Sequence, residues 1–230
     1  MQMTMLNGSA AQLRVKLSIS SEWSGIPDDI ASELLAKATS HRLKTGDMLF
    51  EAGDEGDGCY RLDKGALKVS LKSPQGGERI LAVLPEGAVV GDLAMIDGLP
   101  RSASVTALTD CELRFISRAN FQHCAQQHPE IHRFLVSLLA KRLRQTHDSI
   151  AALAFLTAKG RVANALLEIS ESLGEQTGSG EIVIPRMINQ KDLAALAGVA
   201  LRPPGLAQAT KAWRRSPCGR KRCQSIFHTF

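Results

Sequence analysis

Across residues 41–117, short apolar runs are cut roughly every eight to twelve residues by glycine-bearing turns. These are Lys44-Thr45-Gly46-Asp47, Ala52-Gly53-Asp54, Asp63-Lys64-Gly65, Gly76-Gly77 and Glu86-Gly87. Such punctuation leaves segments of strand length and predicts an antiparallel sandwich or roll. Within it, residues 66–72 set Leu67, Val69 and Leu71 against Lys68, Ser70 and Lys72. That alternation predicts a strand with one buried face, with residues 79–84 as its partner.

Helical spacing flanks this region. In residues 26–38, Pro27 opens a helix, Asp28 and Asp29 fall in its first turn, and Ile30, Leu34 and Leu35 follow at helical spacing. Ser117 is placed to cap a helix beginning at Arg118, and the pattern stays helical to about Leu173, with Pro129 and Gly160 as natural breaks. A continuous helix over residues 129–157 would run about 43 Å at 1.5 Å per residue. Along it, Val136, Leu139, Leu143, Thr146, Ile150 and Leu153 alternate spacings of three and four, the seam of a two-stranded coiled coil. We expect that seam to join two copies of the chain; the alternative is a helix packed on its own domain. Residues 174–180 are expected to form a loop and Ile182-Val183-Ile184-Pro185 a short strand. Asn189 can then cap a helix through Leu193, Leu196 and Ala197 to Gly198, the first half of a helix-turn-helix.

Charge is unevenly placed along the chain. The total is +5, yet residues 186–230 hold nine Lys or Arg against the single acid Asp192, a net +8 that leaves −3 for the remainder. A basic end on a slightly acidic protein points either to a polyanion partner or to a solubilising surface. The hydrophobic fraction of 44% with 22% charged residues fits a soluble globular protein. No apolar run approaches the roughly 18 residues of a membrane span, and residues 1–20 lack a secretory signal, so the cytoplasm is expected and the membrane is not. Five scattered cysteines, Cys59, Cys111, Cys124, Cys218 and Cys223, suit reduced structural thiols. Cys218 and Cys223, with His228 nearby, fall short of the four ligands of structural zinc, so no metal site is expected. No cysteine cluster near the N-terminus suggests an iron-sulfur centre, and neither His41 nor His123 has a neighbour that marks a haem ligand. No nucleophile, base and orienting acid occur together at motif spacing, so neither catalytic residues nor an enzyme are expected.

The run Gly91-Asp92-Leu93-Ala94-Met95-Ile96-Asp97-Gly98-Leu99-Pro100-Arg101-Ser102-Ala103-Ser104-Val105 resembles the phosphate-binding cassette of cyclic-nucleotide-binding domains. Residues 143–162, with Leu153-Ala154-Phe155-Leu156 and Lys159-Gly160-Arg161-Val162, resemble the interdomain helix of the cyclic-AMP receptor proteins. The resemblance spans roughly residues 26–199 and is to the cyclic-AMP receptor protein and fumarate-nitrate regulator (Crp/Fnr) family of bacterial transcription regulators. It implies an α+β chain with an N-terminal tail at 1–25 and a cyclic-nucleotide-binding-type β-roll (double-stranded β-helix) at 26–128. A dimerisation helix at 129–157 and a winged helix-turn-helix at 158–230, atypical after residue 200, follow. The implied effector is cAMP or another cyclic nucleotide, with no required cofactor, and the implied partners are DNA, a second copy of the chain and RNA polymerase.

The cassette residues make chemical sense as a site. A cyclic nucleotide presents one phosphate charge, a ribose hydroxyl and a base. Arg101 can offer a planar guanidinium to the phosphate, with the Ser102 hydroxyl beside it. Gly91 lets the backbone approach, and a short helix starting near Asp92 and Leu93 would turn its N–H groups toward the same anion. By the resemblance, Asp92 stands where the family usually has a glutamate holding the ribose hydroxyl, one methylene longer. Thr146 matches a threonine that reaches the base from the dimer helix, and His147 stands where serine is common. The alternative is an empty roll in which Arg101 and Asp92 form a plain ion pair.

Residues 188–199 resemble the first helix and turn of the family's winged helix-turn-helix. The recognition helix should follow, opening with Arg-Glu and Ser-Arg pairs, but Leu201-Arg202-Pro203-Pro204-Gly205-Leu206-Ala207-Gln208 stands there instead. A helix from about Leu206 to Arg215 would still offer Gln208, Lys211, Arg214 and Arg215 to DNA, and with Lys191 and Arg202 these are the expected DNA-binding residues. The wing expected over residues 216–230 lacks clear strand alternation. The resemblance thus leaves two readings: an intact effector-controlled DNA-binding regulator, or a dimeric cyclic-nucleotide-binding module that has lost sequence-specific DNA binding.

Overall fold

The glycine turns close two four-stranded antiparallel sheets into a roll. In the computed structural model, which describes residues 26–176, 182–184 and 187–200, a helix α1 (Asp28–Ala36) precedes eight strands. These are β1 (Thr39–Leu43), β2 (Met48–Phe50), β3 (Gly58–Lys64), β4 (Leu67–Lys72), β5 (Glu78–Leu84), β6 (Val89–Val90), β7 (Ser104–Ala107) and β8 (Cys111–Ser117). One sheet has the order β1-β8-β3-β6 and the other β2-β7-β4-β5. Leu43, Leu62, Leu67, Leu84, Val105 and Leu113, drawn from both sheets, form one core cluster. The short helix α2 (Asp92–Asp97) sits between β6 and β7. The tail at 1–25 and everything after residue 200 lie outside the described residues.

Three helices complete a second core. Ser117 accepts a hydrogen bond from Asn120 N and starts α3 (Arg118–Gln127), as its sequence position predicts. Ile30 and Leu34 of α1, Phe121 and Cys124 of α3, and Ile131 of the long helix α4 (Glu130–Phe155) pack on Cys59, Val89 and Ile116 of the first sheet. Helix α4 has 26 residues, about 39 Å, close to the expected extent. The break after it is not at Gly160. It falls at Leu156 and Thr157, where extended backbone lets the Thr157 side chain cap α5 (Ala158–Leu173) through Gly160 N. A hydroxyl that satisfies a free N–H sets the boundary more firmly than a helix-interior glycine does. On α4, Val136, Leu143, Ile150, Leu153 and Phe155 are 43–79% exposed, Leu139 is half-buried and Thr146 is exposed.

Strand β4 corrects the expectation of a single buried face. Its inner residue Leu67 is buried, but so is outward Ser70, and Lys68 is half-buried. On that face Lys68 meets Asp192 near the start of a later helix, and the neighbouring strand β5 carries a bulge: Val69 pairs with Ala82 and Ser70 with Ile80, so Leu81 is the extra residue. That insertion brings Ile80 and Val83, three residues apart, to one face. There they pack against Val162, Ala165 and Ile169 of α5 and Leu193 and Leu196 of α6 (Gln190–Ala197). Leu71, at the end of β4, runs past the core and is exposed. The 174–180 loop also contains a short strand, β9 (Glu175–Gln176), paired with β10 (Ile182–Val183).

Helix α6 is tied down at both ends. Asn189 and Asp192 form a reciprocal capping box at its start, and Gly198 caps its end at φ +62. A side chain at Gly198 would meet Arg79 Nη1 at 2.3 Å, and that same guanidinium donates to Ala195 O at 3.2 Å. Lys68 bridges Glu78 at 2.9 Å and Asp192 at 3.4 Å. Behind these contacts, burial pushes the Glu168 carboxyl up from its ordinary 4.5 to about 7, against the pull of Arg79 and of the Asn164 amide, 2.7 Å away.

A carboxyl that titrates near 7 in the fold and near 4.5 unfolded contributes stability that is complete below about pH 4.5 and lost as pH rises through about 7. Glu168→Gln should remove this dependence, so its stability advantage over the parent grows between those pH values and then levels at no more than on the order of 3 kcal/mol. Urea unfolding of both proteins across that range checks this. A constant difference between them would refute it.

Candidate functional site

Gly91 closes β6 and caps α2 at φ +79, a conformation in which other residues are strained. A Cβ there would lie 2.2 Å from Arg101 Nη1, and one on Gly56 would lie 2.8 Å from Arg101 Cζ, so the arginine fills the space that both glycines leave. Arg101 is 5% exposed. Its Nη1 donates to Gly58 O at 2.7 Å and Gly91 O at 2.8 Å, and its guanidinium lies 4.4 Å from the Phe50 ring centroid and 6.0 Å from that of Tyr60. Backbone bonds from Arg101 N to Asp54 O and from Gly53 N to Arg101 O, each 2.8 Å, pin the segment. Its Nε is buried and makes no hydrogen bond. Among the described residues this cation has carbonyls and ring faces for partners, but no carboxylate. A buried charge of that kind is costly until an anion completes it.

The ion pair between Arg101 and Asp92 raised as an alternative does not form. Asp92, 2% exposed, pairs instead with Arg142 of α4, whose Nη1 lies 2.6 Å from Oδ1 and 2.7 Å from Oδ2. The other terminal nitrogen of Arg142 donates to Val89 O at 3.0 Å. Asp92 is the first residue of α2, and the long side chain of Arg142 reaches it from α4. Cys59 is close behind, its thiol pushed up to about 12 by burial and by the Asp92 charge, which leaves it an inert wall.

Gly91, Asp92 and Arg101 are thus gathered in one place by the β6–α2 turn and the segment entering β7. Ser102 follows Arg101 and is exposed; Leu93 lies on α2 and is 38% exposed. Thr146 and His147 are exposed on α4, and the Thr146 hydroxyl donates to Arg142 O at 3.0 Å. The link from α4 to the cassette therefore runs through Arg142, which sequence reasoning missed. The available signal was its place one helical turn before Thr146. Lys191 is exposed on α6, whereas Arg202, Gln208, Lys211, Arg214 and Arg215 lie outside the described residues.

A β-roll with a glycine-started short helix tied to a long helix through Asp92, and a buried arginine beside that turn, has the architecture of a cyclic-nucleotide-type domain, and residues 40–128 match the family model "Cyclic nucleotide-binding domain". The CRP-like cAMP-activated global transcriptional regulator of Mycobacterium tuberculosis is 31% identical over 169 residues, 74% of this chain and 75% of that protein. The chain belongs to the Crp/Fnr family, and so is a regulator and not an enzyme. The catabolite activator protein of Thermus thermophilus superposes with a TM-score of 0.54 at 28% identity, covering 84% of this chain and 86% of that one. The c-di-GMP-responsive global regulator CLP of Xanthomonas campestris shares the fold, with a TM-score of 0.70 at 23% identity, over 81% of this chain and 92% of its own. Among the described residues no helix is long and apolar enough to cross a membrane.

Arg142→Met should leave Asp92 charged, buried and unpaired, a loss of roughly 3 kcal/mol. The double variant Arg142→Met with Asp92→Asn should recover most of it. Chemical unfolding of the parent and both variants checks this, and a double variant no better than the single would show that the pair does not carry the effect.

Proposed function

We propose that this protein is a homodimeric, DNA-binding transcription regulator switched by a cyclic nucleotide, cAMP being the first candidate. The observation that carries the reading is the buried Arg101, with an unsatisfied Nε and, among the described residues, no carboxylate paired with it. A cyclic phosphate supplies the single negative charge and the acceptor oxygens that this guanidinium lacks. Ser102 would add a hydroxyl to the phosphate, Asp92 would accept from the ribose, and Leu93 lies beside them on α2. Thr146 and His147 would approach the base from α4. Similarity to a relative named as cAMP-activated supports that choice of nucleotide.

Dimerisation is supported by the outward apolar row Val136, Leu143, Ile150 and Leu153, which is exposed among the described residues. A second copy packed on this row would cover it and place two DNA-reading ends side by side. Effector binding at Asp92 would reach that interface through Arg142, so one element serves both sites. Lys191, Arg202, Gln208, Lys211, Arg214 and Arg215 would contact DNA, and RNA polymerase would be the further partner of the bound dimer in the cytoplasm.

A second reading rests on a specific departure. Leu201-Arg202-Pro203-Pro204-Gly205 stands where the family's recognition helix opens, and a dimeric nucleotide-binding module without sequence-specific DNA binding would carry such a replacement. Steeply salt-dependent binding without sequence preference would mark it.

The deciding experiment is selection of bound DNA from a random pool by the purified protein, with and without cAMP, at near-physiological salt. Enrichment of a two-fold symmetric site only with cAMP is expected; no enriched site under either condition would leave the second reading. Separately, Arg101→Lys keeps the charge but loses the planar fork, and calorimetry should show cAMP affinity falling roughly 10- to 100-fold. Unchanged affinity would rule out Arg101 as the phosphate ligand.

A further inference from the structure

Away from the cassette, a mixed donor cluster lies where α1 meets the elbow between α3 and α4. A Glu33 carboxylate oxygen, Cys124 Sγ and a His128 ring nitrogen all lie within 4.8 Å of one another, and His128 Nε2 is 3.0 Å from Glu33 Oε2. Cys124 and His128 are four residues apart, so they share a face, and His128 N bonds to Cys124 O at 2.9 Å as it caps α3. Glu33 comes from α1, which is held to α3 by the Asn120 amide on Leu34 O at 3.2 Å.

We propose that Glu33, Cys124 and His128 form a binding site for a divalent transition metal of the zinc class, with one coordination position left to water. Carboxylate, thiolate and imidazole are a zinc donor set, and three protein ligands with an open fourth position is the arrangement of exchangeable sites. Ligand atoms within 4.8 Å of one another bracket the space of one ion at bond lengths of about 2.0 to 2.3 Å. Access matches this role: Cys124 closes the floor at 1% exposure, while His128 and Glu33, with side chains 30% and 39% exposed, form an open rim. Burial and the Glu33 charge hold the free Cys124 thiol up against the pull of Lys37, so on loading its proton passes to solvent only as the metal–thiolate bond replaces the S–H. His128 precedes Pro129, which caps α4, so an ion here would clamp α1 to the base of the proposed dimer helix and give it a second input.

The test uses full-length protein, reduced, carrying Cys218→Ser and Cys223→Ser so that the tail thiols cannot contribute. Titration with cobalt(II) should give one ion per chain with a thiolate-to-cobalt charge-transfer band, displaced by zinc. Adding Cys124→Ala should abolish the band, and adding His128→Gln should weaken binding tenfold or more with the fold retained. The half-exposed His128 keeps the test decisive even if the core variant fails to fold. Absence of the band in the parent, or cobalt binding unaltered by His128→Gln, would overturn the site and leave a plain Glu33–His128 ion pair over a buried thiol.

Discussion

The guanidinium of Arg101 sets the terms for the structure around it. Removing such a group from water without an opposing charge costs several kcal/mol, and the fold offsets this with two backbone carbonyls and the faces of Phe50 and Tyr60. Those carbonyls belong to Gly58 on β3 and Gly91 at the end of β6, so one side chain ties the two strands to the segment entering β7. The glycines follow from the same demand. At Gly91 any side chain would occupy the place of Nη1, and the turn needs a positive φ as well. The glycines at 56 and 91 and the unpaired Nε thus share one cause, the burial of this cation.

The neighbouring carboxylate has the opposite arrangement, satisfied by a residue from another element. Asp92 is held by Arg142 of α4, and α4 also carries the outward apolar row, so the cassette and the proposed interface share one rigid helix. At its far end Thr157 breaks the chain into α5, which packs with α6 on the outer face of β5. The start of the proposed DNA-binding end is therefore seated on the roll itself, through Ile80, Val83, Arg79 and Lys68.

Much of this was legible in the sequence wherever local chemistry decides the outcome. The glycine turns, the Ser117 cap, the long helix and the Asn189–Gly198 helix all lie where spacing and capping put them. What escaped were features set by distant packing. The bulge at Leu81 leaves no local mark, yet it turns Ile80 and Val83 to one face. Arg142 carries no motif signal because its partner Asp92 is fifty residues away, and the same distant pairing removes the Arg101–Asp92 ion pair weighed as the alternative to an effector site. Glu33, Cys124 and His128 went unnoticed for the same reason, since ligand spacing was sought only along the chain.

The replacement of glutamate by aspartate at position 92 can now be weighed in physical terms. Both Asp92 oxygens accept from the same Arg142 nitrogen, and an ionised carboxylate offers about four lone-pair sites. A ribose hydroxyl can thus join the pair without displacing Arg142. In the proposed regulator, binding would then tighten the hold of the cassette on α4, whereas a ligand that had to break this buried pair would work against its cost. The shorter side chain would lose reach toward a ribose, while its carboxylate at the start of α2 is held by Arg142 of α4. In the proposed regulator the aspartate would therefore favour coupling to the helix over reach to the ligand.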